Sequence, residues 1–346
     1  PSNSVLSSSL PATDSITLRT SGTTPGWFAG IFDSIGAIPL NYVKLIPFGG
    51  RCQIMVKIHS PQNTPPGVRD ITIIRGRSTN DTLVSDIATL ITTINLTASI
   101  IVDPDRQGTV RPRDSTEYSL YVINDGNATD SITLATARTR PWARAIIYDS
   151  LHRVISYVRL PPFGGRQNII VQIKADSTAL AGWVDTTILR GISTNIPTIR
   201  DTAIILTTVI PVSNIIVDPD RQGFVSRFDS IWYSHYVENR GNSRDSIPLL
   251  TANTRPGWRA EIWDSARTTI INNVILNPSQ RKPVWLKIKP PNNEPYRTAD
   301  TTYLKGYSTV GPARDSARVI TEIILDAAII VDPDSQASAI PGDTVR

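Results

Sequence analysis

Ile101-Val102-Asp103-Pro104-Asp105-Arg106-Gln107-Gly108 is the stretch on which the fold of this 346-residue chain depends. The same segment recurs from Ile216 to Gly223, and again, with two substitutions, from Ile330 to Ala337. The copies start 115 and 114 residues apart. A constant step of this size matches one small domain with its own core, so the sequence is a tandem array of one domain type.

Other short motifs recur at the same step. They are Asp-Ser-Ile at Asp14, Asp130 and Asp245, a proline–tryptophan turn at Trp27, Trp142 and Trp258, and Gly-x-Ser-Thr at Gly76, Gly191 and Gly306. A Pro-Phe-Gly-Gly-Arg turn at 47–51 recurs at 162–166 and has changed to Pro-Ser-Gln-Arg at 278–281. We expect domain 1 over 1–99, domain 2 over 100–213, domain 3 over 214–328 and a separate segment over 329–346.

Alternating apolar residues between these turns predict half-buried β-strands. In domain 1, Ile54, Val56 and Ile58 share one face, and 169–173 and 284–288 show the same pattern. Isoleucine, threonine and valine dominate the apolar runs, and 26 prolines and 20 glycines punctuate them. This pattern predicts an all-β fold of three antiparallel β-sandwiches, each with about seven strands.

Domain 2 carries a recognisable motif order. Tyr118–Gly126 reads Tyr-Ser-Leu-Tyr-Val-Ile-Asn-Asp-Gly and leads into Asp130-Ser131, Pro141-Trp142 and the Pro-Phe-Gly-Gly turn. This order resembles the Ig-like domains of the CARDB and NEW3 kind that occur in prokaryotic surface and secreted proteins. The resemblance covers the whole chain three times and implies an Ig-like sandwich at the cell surface or outside it. Domain 1 departs from the pattern, because Ser2–Leu10 lacks the tyrosine and the Asn-x-Gly.

The two ends of the sequence fall at the same point of the repeat. Aligned by the motifs, Pro1 and Arg346 both correspond to Glu117, to within about one residue. We therefore expect domain 1 to lack its first strand, the counterpart of Ile101–Thr116, and Ile329–Arg346 to carry that segment without a domain of its own. Donation of this strand to domain 1 of the next subunit would complete the sandwich, and a head-to-tail contact of this kind propagates into an open filament.

The expected subunit interface consists of apolar residues of the last segment, namely Ile329, Ile330, Val331, Ile340 and Val345. Their burial contributes on the order of 10 kcal/mol before the cost of association. Two alternatives remain open at this point. The sequence is a fragment of a longer array, or the last segment folds back onto domain 1 of the same chain.

The sequence thus predicts a structural subunit of an extracellular filament or pilus-like appendage, a homopolymer that forms by donor-strand complementation and needs no cofactor. The alternative is a non-polymerising adhesin stalk or a carbohydrate-binding accessory module of a secreted protein. Four tryptophans that do not recur are candidates for a surface particular to one domain: Trp183, Trp232, Trp263 and Trp285.

No enzyme is expected, because no nucleophile motif accompanies the three histidines. His59, His152 and His235 occupy unrelated positions of the repeat, so a surface or strand position is the better interpretation. The recurring tryptophans after the proline turn are interpreted as packing residues rather than sugar-stacking platforms.

Composition and charge restrict the classes of partner and the location that we expect for the chain. The net charge of +5 comes without a basic cluster, so nucleic acid is not expected as a partner. Cys52 is the single cysteine, and no apolar run is long enough to span a bilayer. Because the sequence starts at Pro1 without a leader pattern, we expect a processed, exported product, with possible glycans at Asn80, Asn95 and Asn127. Abundant isoleucine, arginine and proline are compatible with a thermophilic source.

Acidic residues of the repeated segment follow the spacing of a calcium loop. They are Asp103, Asp105 and Asp114, then Asp218, Asp220 and Asp229, then Asp332, Asp334 and Asp343. A proline between the carboxylates and the absence of flanking helices argue against calcium, and the preferred interpretation is a rigid, proline-containing turn between domains.

Overall fold

The computed structural model describes residues 13–22, 24–137, 140–325 and 341–342, and these form strands, turns and loops. The all-β prediction is confirmed, as the abundance of β-branched residues between turn residues requires. In the part of the chain that is described, no helix is long and apolar enough to cross a membrane.

Domain 1 contains six strands within the described ranges. They are β1 (Asp14–Ser21), β2 (Phe28–Phe32), β3 (Tyr42–Leu45), β4 (Met55–His59), β5 (Arg69–Ser78) and β6 (Ser85–Thr93). One sheet has the order β3-β1-β5-β6, and the other consists of β2 and β4.

Domain 2 contains nine strands. They are β7 (Ile100–Asp103), β8 (Arg106–Val110), β9 (Ser115–Asn124), β10 (Asp130–Ala137), β11 (Ala143–Asp149), β12 (Tyr157–Leu160), β13 (Gly165–Ala175), β14 (Val184–Ile192) and β15 (Arg200–Val209). The two sheets have the orders β12-β10-β14-β15-β8 and β11-β13-β9-β7.

Domain 3 repeats this arrangement. Its strands are β16 (Ile215–Asp218), β17 (Arg221–Val225), β18 (Ile231–Asn239), β19 (Asp245–Asn253), β20 (Arg259–Trp263), β21 (Asn273–Leu276), β22 (Arg281–Lys289), β23 (Ala299–Tyr307) and β24 (Arg314–Ile323). The sheet orders are β17-β24-β23-β19-β21 and β16-β18-β22-β20. Strand sets therefore fall within the three expected ranges, while the exact boundaries stay a prediction.

The cores of domains 2 and 3 lie between their sheets. Ile169, Val171 and Ile173 of β13 alternate with outward-facing residues and are fully buried, as the period-2 pattern predicts. Trp142 and Trp258 are buried in these cores, and Trp27 is buried in domain 1, which confirms their packing role.

One expectation about the sandwich was wrong. Domains 2 and 3 each have nine strands rather than about seven, and the division of the Ile-Val-Asp-Pro-Asp segment into two short strands in different sheets accounts for one of the additional strands. The antiparallel sandwich is confirmed, and each of these two domains contains in addition one parallel pairing, β8 with β15 and β17 with β24. The chain changes sheets at the cis peptides Asp103–Pro104 and Asp218–Pro219, so the segment is part of a sandwich and not a turn between domains.

Two of the recurring motifs meet in space. In domain 1, Ser78 Oγ donates to the Asp14 carboxylate at 2.6 Å, and this bond is the main cause that lowers the pKa of Asp14. In domain 2, Ser193 Oγ and Thr194 Oγ1 donate to Asp130. Asp-Ser-Ile and Gly-x-Ser-Thr therefore recur together because they join the start of one strand to the end of another.

Candidate functional site

The repeated segment completes both sheets of domain 2. Its first half, β7, pairs with β9, and its second half, β8, lies along the edge of β15. Ile100, Val102 and Val110 are buried, whereas Ile101 points outward and is 39% exposed. Because successive side chains of a strand point to opposite faces, only alternate residues of the segment enter the core.

Two carboxylates fix the register of this segment. Asp201 of β15 accepts a hydrogen bond from the Val102 amide at 2.8 Å, and Asp105 accepts one from the Ile204 amide at 2.7 Å. Domain 3 repeats both bonds, since Asp315 accepts from the Val217 amide at 2.9 Å and Asp220 from the Arg318 amide at 2.7 Å. Each bond joins the segment to the strand that it covers.

A glycine in the segment makes room for a tyrosine. A Cβ at Gly108 would lie 2.8 Å from the hydroxyl oxygen of Tyr118, and one at Gly223 would lie 2.7 Å from that of Tyr233. Each tyrosine hydroxyl is 2.9 Å from a buried threonine Oγ1, that of Thr207 in domain 2. A larger residue in place of the glycine would displace the tyrosine from this position.

Domain 1 shows no counterpart of β7 or β8 among the described residues, and β6 is therefore an edge strand. Ala88 is exposed, while its counterparts Ala203 and Ala317 are each 1% exposed. Leu90 is partly exposed, while its counterpart Ile205 is fully buried. The edge that β8 and β17 cover in the other domains is thus open in the described part of domain 1.

The second sheet of domain 1 is open as well. Ile54, Val56 and Ile58 are all partly exposed, although their counterparts at 169–173 and 284–288 are fully buried. Within the described ranges β4 pairs with β2, whereas β13 pairs with both β11 and β9. The counterpart of β9 aligns with residues 1–8, which lie outside the described ranges.

Asp86 occupies the position in domain 1 that corresponds to Asp201. It is exposed, and its Oδ1 accepts a hydrogen bond from the amide of Ile87 at 2.9 Å. The counterpart of the second anchor, the Ile204 amide, is the amide of Thr89 on the same open edge. Domain 1 therefore keeps both groups that hold the repeated segment in domains 2 and 3.

The predicted interface residues Ile329, Ile330, Val331, Ile340 and Val345 lie outside the described residues, so their role stays a prediction. The structure instead refines which positions of the segment matter. Ile329 and Val331 align with the buried Ile100 and Val102, and Ile330 aligns with the exposed Ile101.

Two asparagines lie at the joints between domains, a role that sequence reasoning missed, since it gave Asn127 only as a glycan candidate and did not name Asn242. Asn127 accepts the amide of Thr97 at 2.8 Å and donates Nδ2 to the carbonyl of Asn95 at 2.9 Å. Asn242 donates to the carbonyl of Ala179 at 3.3 Å, across the second joint. Each asparagine ends the motif Asn-x-Gly-Asn at the same position of the repeat, and this recurrence was the signal that would have found them.

This placement bears on the glycan expectation. The Nδ2 of Asn127, to which a glycan would be attached, belongs to a buried side chain and is already a donor within the joint. Asn80 and Asn95 are exposed, and glycosylation there stays a prediction.

The carboxylates of the calcium expectation point to different partners. Asp103 accepts from the Tyr121 hydroxyl at 2.9 Å, Asp105 from the Ile204 amide and Asp114 from the Ser115 amide. The same arrangement recurs in domain 3 at Asp218, Asp220 and Asp229. The described residues contain no group of three acidic, histidine or cysteine side chains that could hold a metal ion. Asp332, Asp334 and Asp343 lie outside the described ranges, and calcium binding stays untested.

The non-recurring tryptophans of domain 3 form a cluster on the outer face of the β18–β22–β20 sheet. The ring centroids of Trp232 and Trp263 are 5.5 Å apart, and Trp285 lies opposite Trp263 in the strand register. The guanidinium carbon of Arg267 is 3.5 Å from the centroid of Trp285, and Lys287 Nζ is 5.2 Å from that of Trp232. Trp183 lies apart from this cluster, beside Trp142 in domain 2.

No family model matches the chain, and no curated protein matches it. Solved structures similar to the chain include EC1-3 of mouse clustered PcdhgC3, with 10% identity, 86% of this chain and 89% of that chain covered, and a TM-score of 0.39. The I-band fragment I67-I69 of titin shows 9% identity, covers 90% and 93%, and has a TM-score of 0.31. The CsuC-CsuE chaperone–tip adhesion subunit complex of Acinetobacter baumannii Csu pili shows 11% identity, covers 60% and 99%, and has a TM-score of 0.35. These scores are low, and the likenesses carry no argument about function.

Proposed function

We propose that the chain is a structural subunit of an extracellular filament that polymerises head to tail by donor-strand complementation. The segment that begins at Ile329 of one subunit adds to the open faces of domain 1 in the next subunit. The observation that carries this proposal is the edge of β6, which is open among the described residues, whereas internal copies of the segment cover the corresponding edges of β15 and β24.

The register of the donated segment follows from the internal copies. Transferred to domain 1, the Val331 amide reaches the Asp86 carboxylate, as the Val102 amide reaches Asp201. Asp334 then accepts the Thr89 amide, as Asp105 accepts that of Ile204. The five residue pairs of β8 with β15 become pairs of the donated segment with Leu90–Ile94. Strand addition of this kind satisfies the polar groups of an exposed edge.

A coupled pair of sequence changes supports the same partner. In domains 2 and 3 the segment has glycine where a tyrosine packs against it. The last copy has Ala337 at the glycine position, and domain 1 has Ser2 at the tyrosine position. A methyl group is thus gained where the bulky ring is lost, which matches the last segment to domain 1 and not to domain 2 or domain 3.

Apolar burial and backbone hydrogen bonds both stabilise the proposed joint. Full burial of the two core-facing side chains, Ile329 and Val331, contributes about 3–6 kcal/mol, and the partly exposed apolar residues of domain 1 lose water contact at the same time. Backbone hydrogen bonds along β6 add about 1 kcal/mol each.

Electron microscopy of the purified chain tests the proposal with two matched variants. We expect Val331→Asp to abolish filaments, because it places a charge at a core-facing position of the donated strand. Ile330→Asp adds the same charge at an outward-facing position and should leave the filaments intact.

Equal behaviour of the two variants would contradict strand donation. A wild-type monomer whose β6 amides are protected from hydrogen exchange would show instead that the edge is covered within one chain, and would contradict the filament.

The tryptophan cluster of domain 3 favours a second candidate, a non-polymerising adhesin stalk or carbohydrate-binding module. Aromatic rings beside Arg267 and Lys287 present stacking surfaces together with positive charge, which suits an anionic polysaccharide. If the chain has this second function, we expect a monomer that binds polysaccharide. The same microscopy experiment then shows monomers rather than filaments and so discriminates the two candidates.

A further inference from the structure

At each joint between domains, a turn of one domain faces a loop of the preceding domain, and the residue types of the turn and the loop change together; we call this the pairing rule. At the first joint, Phe163 of the Pro-Phe-Gly-Gly turn lines one cleft together with Ser60–Thr64 of domain 1. At the second joint, Ser279 takes the position of the phenylalanine and lines a cleft with Ser177 and Thr178 of domain 2. Each turn thus faces a loop of the preceding domain, namely the loop that follows β4 in domain 1 and the loop that follows β13 in domain 2.

The loops differ in step with the turns. Facing the phenylalanine, domain 1 has Pro61-Gln62-Asn63, and facing the serine, domain 2 has Asp176-Ser177-Thr178. The corresponding loop of domain 3 is Pro291-Asn292-Asn293, which returns to the Pro-x-Asn type. Asn292 and Asn293 are exposed. The loop of domain 3 therefore suits a turn with phenylalanine, and the described residues of the chain leave one such turn open.

That turn carries Phe48 in domain 1. Its side chain is 92% exposed, whereas Phe163, at the joint, is 36% exposed. Both residues have a left-handed backbone, with φ of 62° and 61°, which is costly for a bulky residue. An exposed aromatic ring on a strained turn, whose counterpart Phe163 is covered at a joint, indicates a contact surface.

We infer that the turn at Phe48 docks against the Pro291–Asn293 loop of a second copy of this chain. The contact repeats the joint between domains 1 and 2, and it rests on the proposed filament, in which domain 3 of one subunit precedes domain 1 of the next. It is separate from the donated strand, since none of its residues belongs to β6 or to 329–346. Its role is to set the orientation of neighbouring subunits, as the internal joint does for neighbouring domains.

Chemical crosslinking tests the contact. Cys52 is exposed, so the background is Cys52→Ser. In that background, and at a protein concentration above that at which the variant assembles, we expect the double variant Phe48→Cys and Asn293→Cys to form a ladder of covalent oligomers with a short bismaleimide. The internal pair Asn63→Cys and Phe163→Cys is the positive control and should link within one chain. Phe48→Cys with Leu151→Cys is the negative control and should give no ladder, because Leu151 is exposed and lines neither of the two clefts.

The outcomes separate this contact from the strand donation. Filaments in the microscope without a ladder overturn the inferred contact and leave the proposed function in place. A chain that forms neither filaments nor a ladder overturns both.

Replacing the residues of the turn and of the loop by those of the second joint provides a second measurement. Phe48→Ser should raise the concentration at which filaments form by about tenfold, since most of one aromatic contact is lost. Replacing Pro291–Asn293 with Asp-Ser-Thr in the same chain, which copies the second joint, should restore part of that loss. An unchanged assembly concentration for Phe48→Ser would contradict the contact.

Discussion

His235 shows what one buried residue changes between two copies of the repeat. It lies on β18 at the position of Leu120 and is 3% exposed. Burial lowers its pKa from 6.5 to about 4, and the nearby Arg221 acts in the same direction. The Pro219 backbone and the carboxylates of Asp218 and Asp220 oppose the shift. The ring is therefore neutral in the folded protein at neutral pH.

This burial predicts an acid-sensitive domain 3. The folded pKa lies below the unfolded one, so the stabilisation is complete above pH 6.5 and is lost as the pH falls towards 4, by up to about 3 kcal/mol. His235→Leu, which copies domain 2, should remove this component. Urea unfolding at pH 7 and pH 4.5, followed by tryptophan fluorescence, measures it. An equal loss in wild type and variant would contradict the prediction.

At the scale of the element, β7 can be tested within a single chain. Its alternate side chains face core and solvent, so Val102→Ala should destabilise domain 2 by about 2 kcal/mol, while Ile101→Ala should cost less than about 1 kcal/mol. Chemical denaturation measures both, and Val217→Ala with Ile216→Ala repeats the comparison in domain 3. Similar costs for the two positions would show that the segment does not alternate as described.

The elements also show where sequence reasoning succeeded and where it failed. The alternation at 169–173 predicted β13 and its buried face, because a period of two needs only local information. The division of 101–110 into two strands of different sheets was not predictable. Its apolar and polar residues are compatible with one strand, and the parallel pairing of β8 with β15 joins residues that are about 100 positions apart.

At the scale of the whole molecule, domain 1 should be the least stable part of a chain that lacks 329–346. Calorimetry of that truncated chain should show a low-temperature transition for domain 1, separate from those of domains 2 and 3. A synthetic peptide of residues 329–346 should raise that transition alone, and more so at higher peptide concentration, because it binds only the folded domain.

The matched control is the same peptide with Val331→Asp, which should leave the transition unchanged. A peptide effect on all three transitions, or on none, would contradict the assignment of domain 1 as the acceptor.

The sequence by itself determined the tandem repeat and the all-β class, since repetition and alternation are properties of residue order. It also identified the tryptophans after the proline turn as packing residues. Only the tertiary structure decided which residues of the segment are buried, which carboxylates hold it, and that the edge of β6 and the ring of Phe48 are open. These features arise from contacts between residues far apart in the chain, so no local pattern in the sequence reports them.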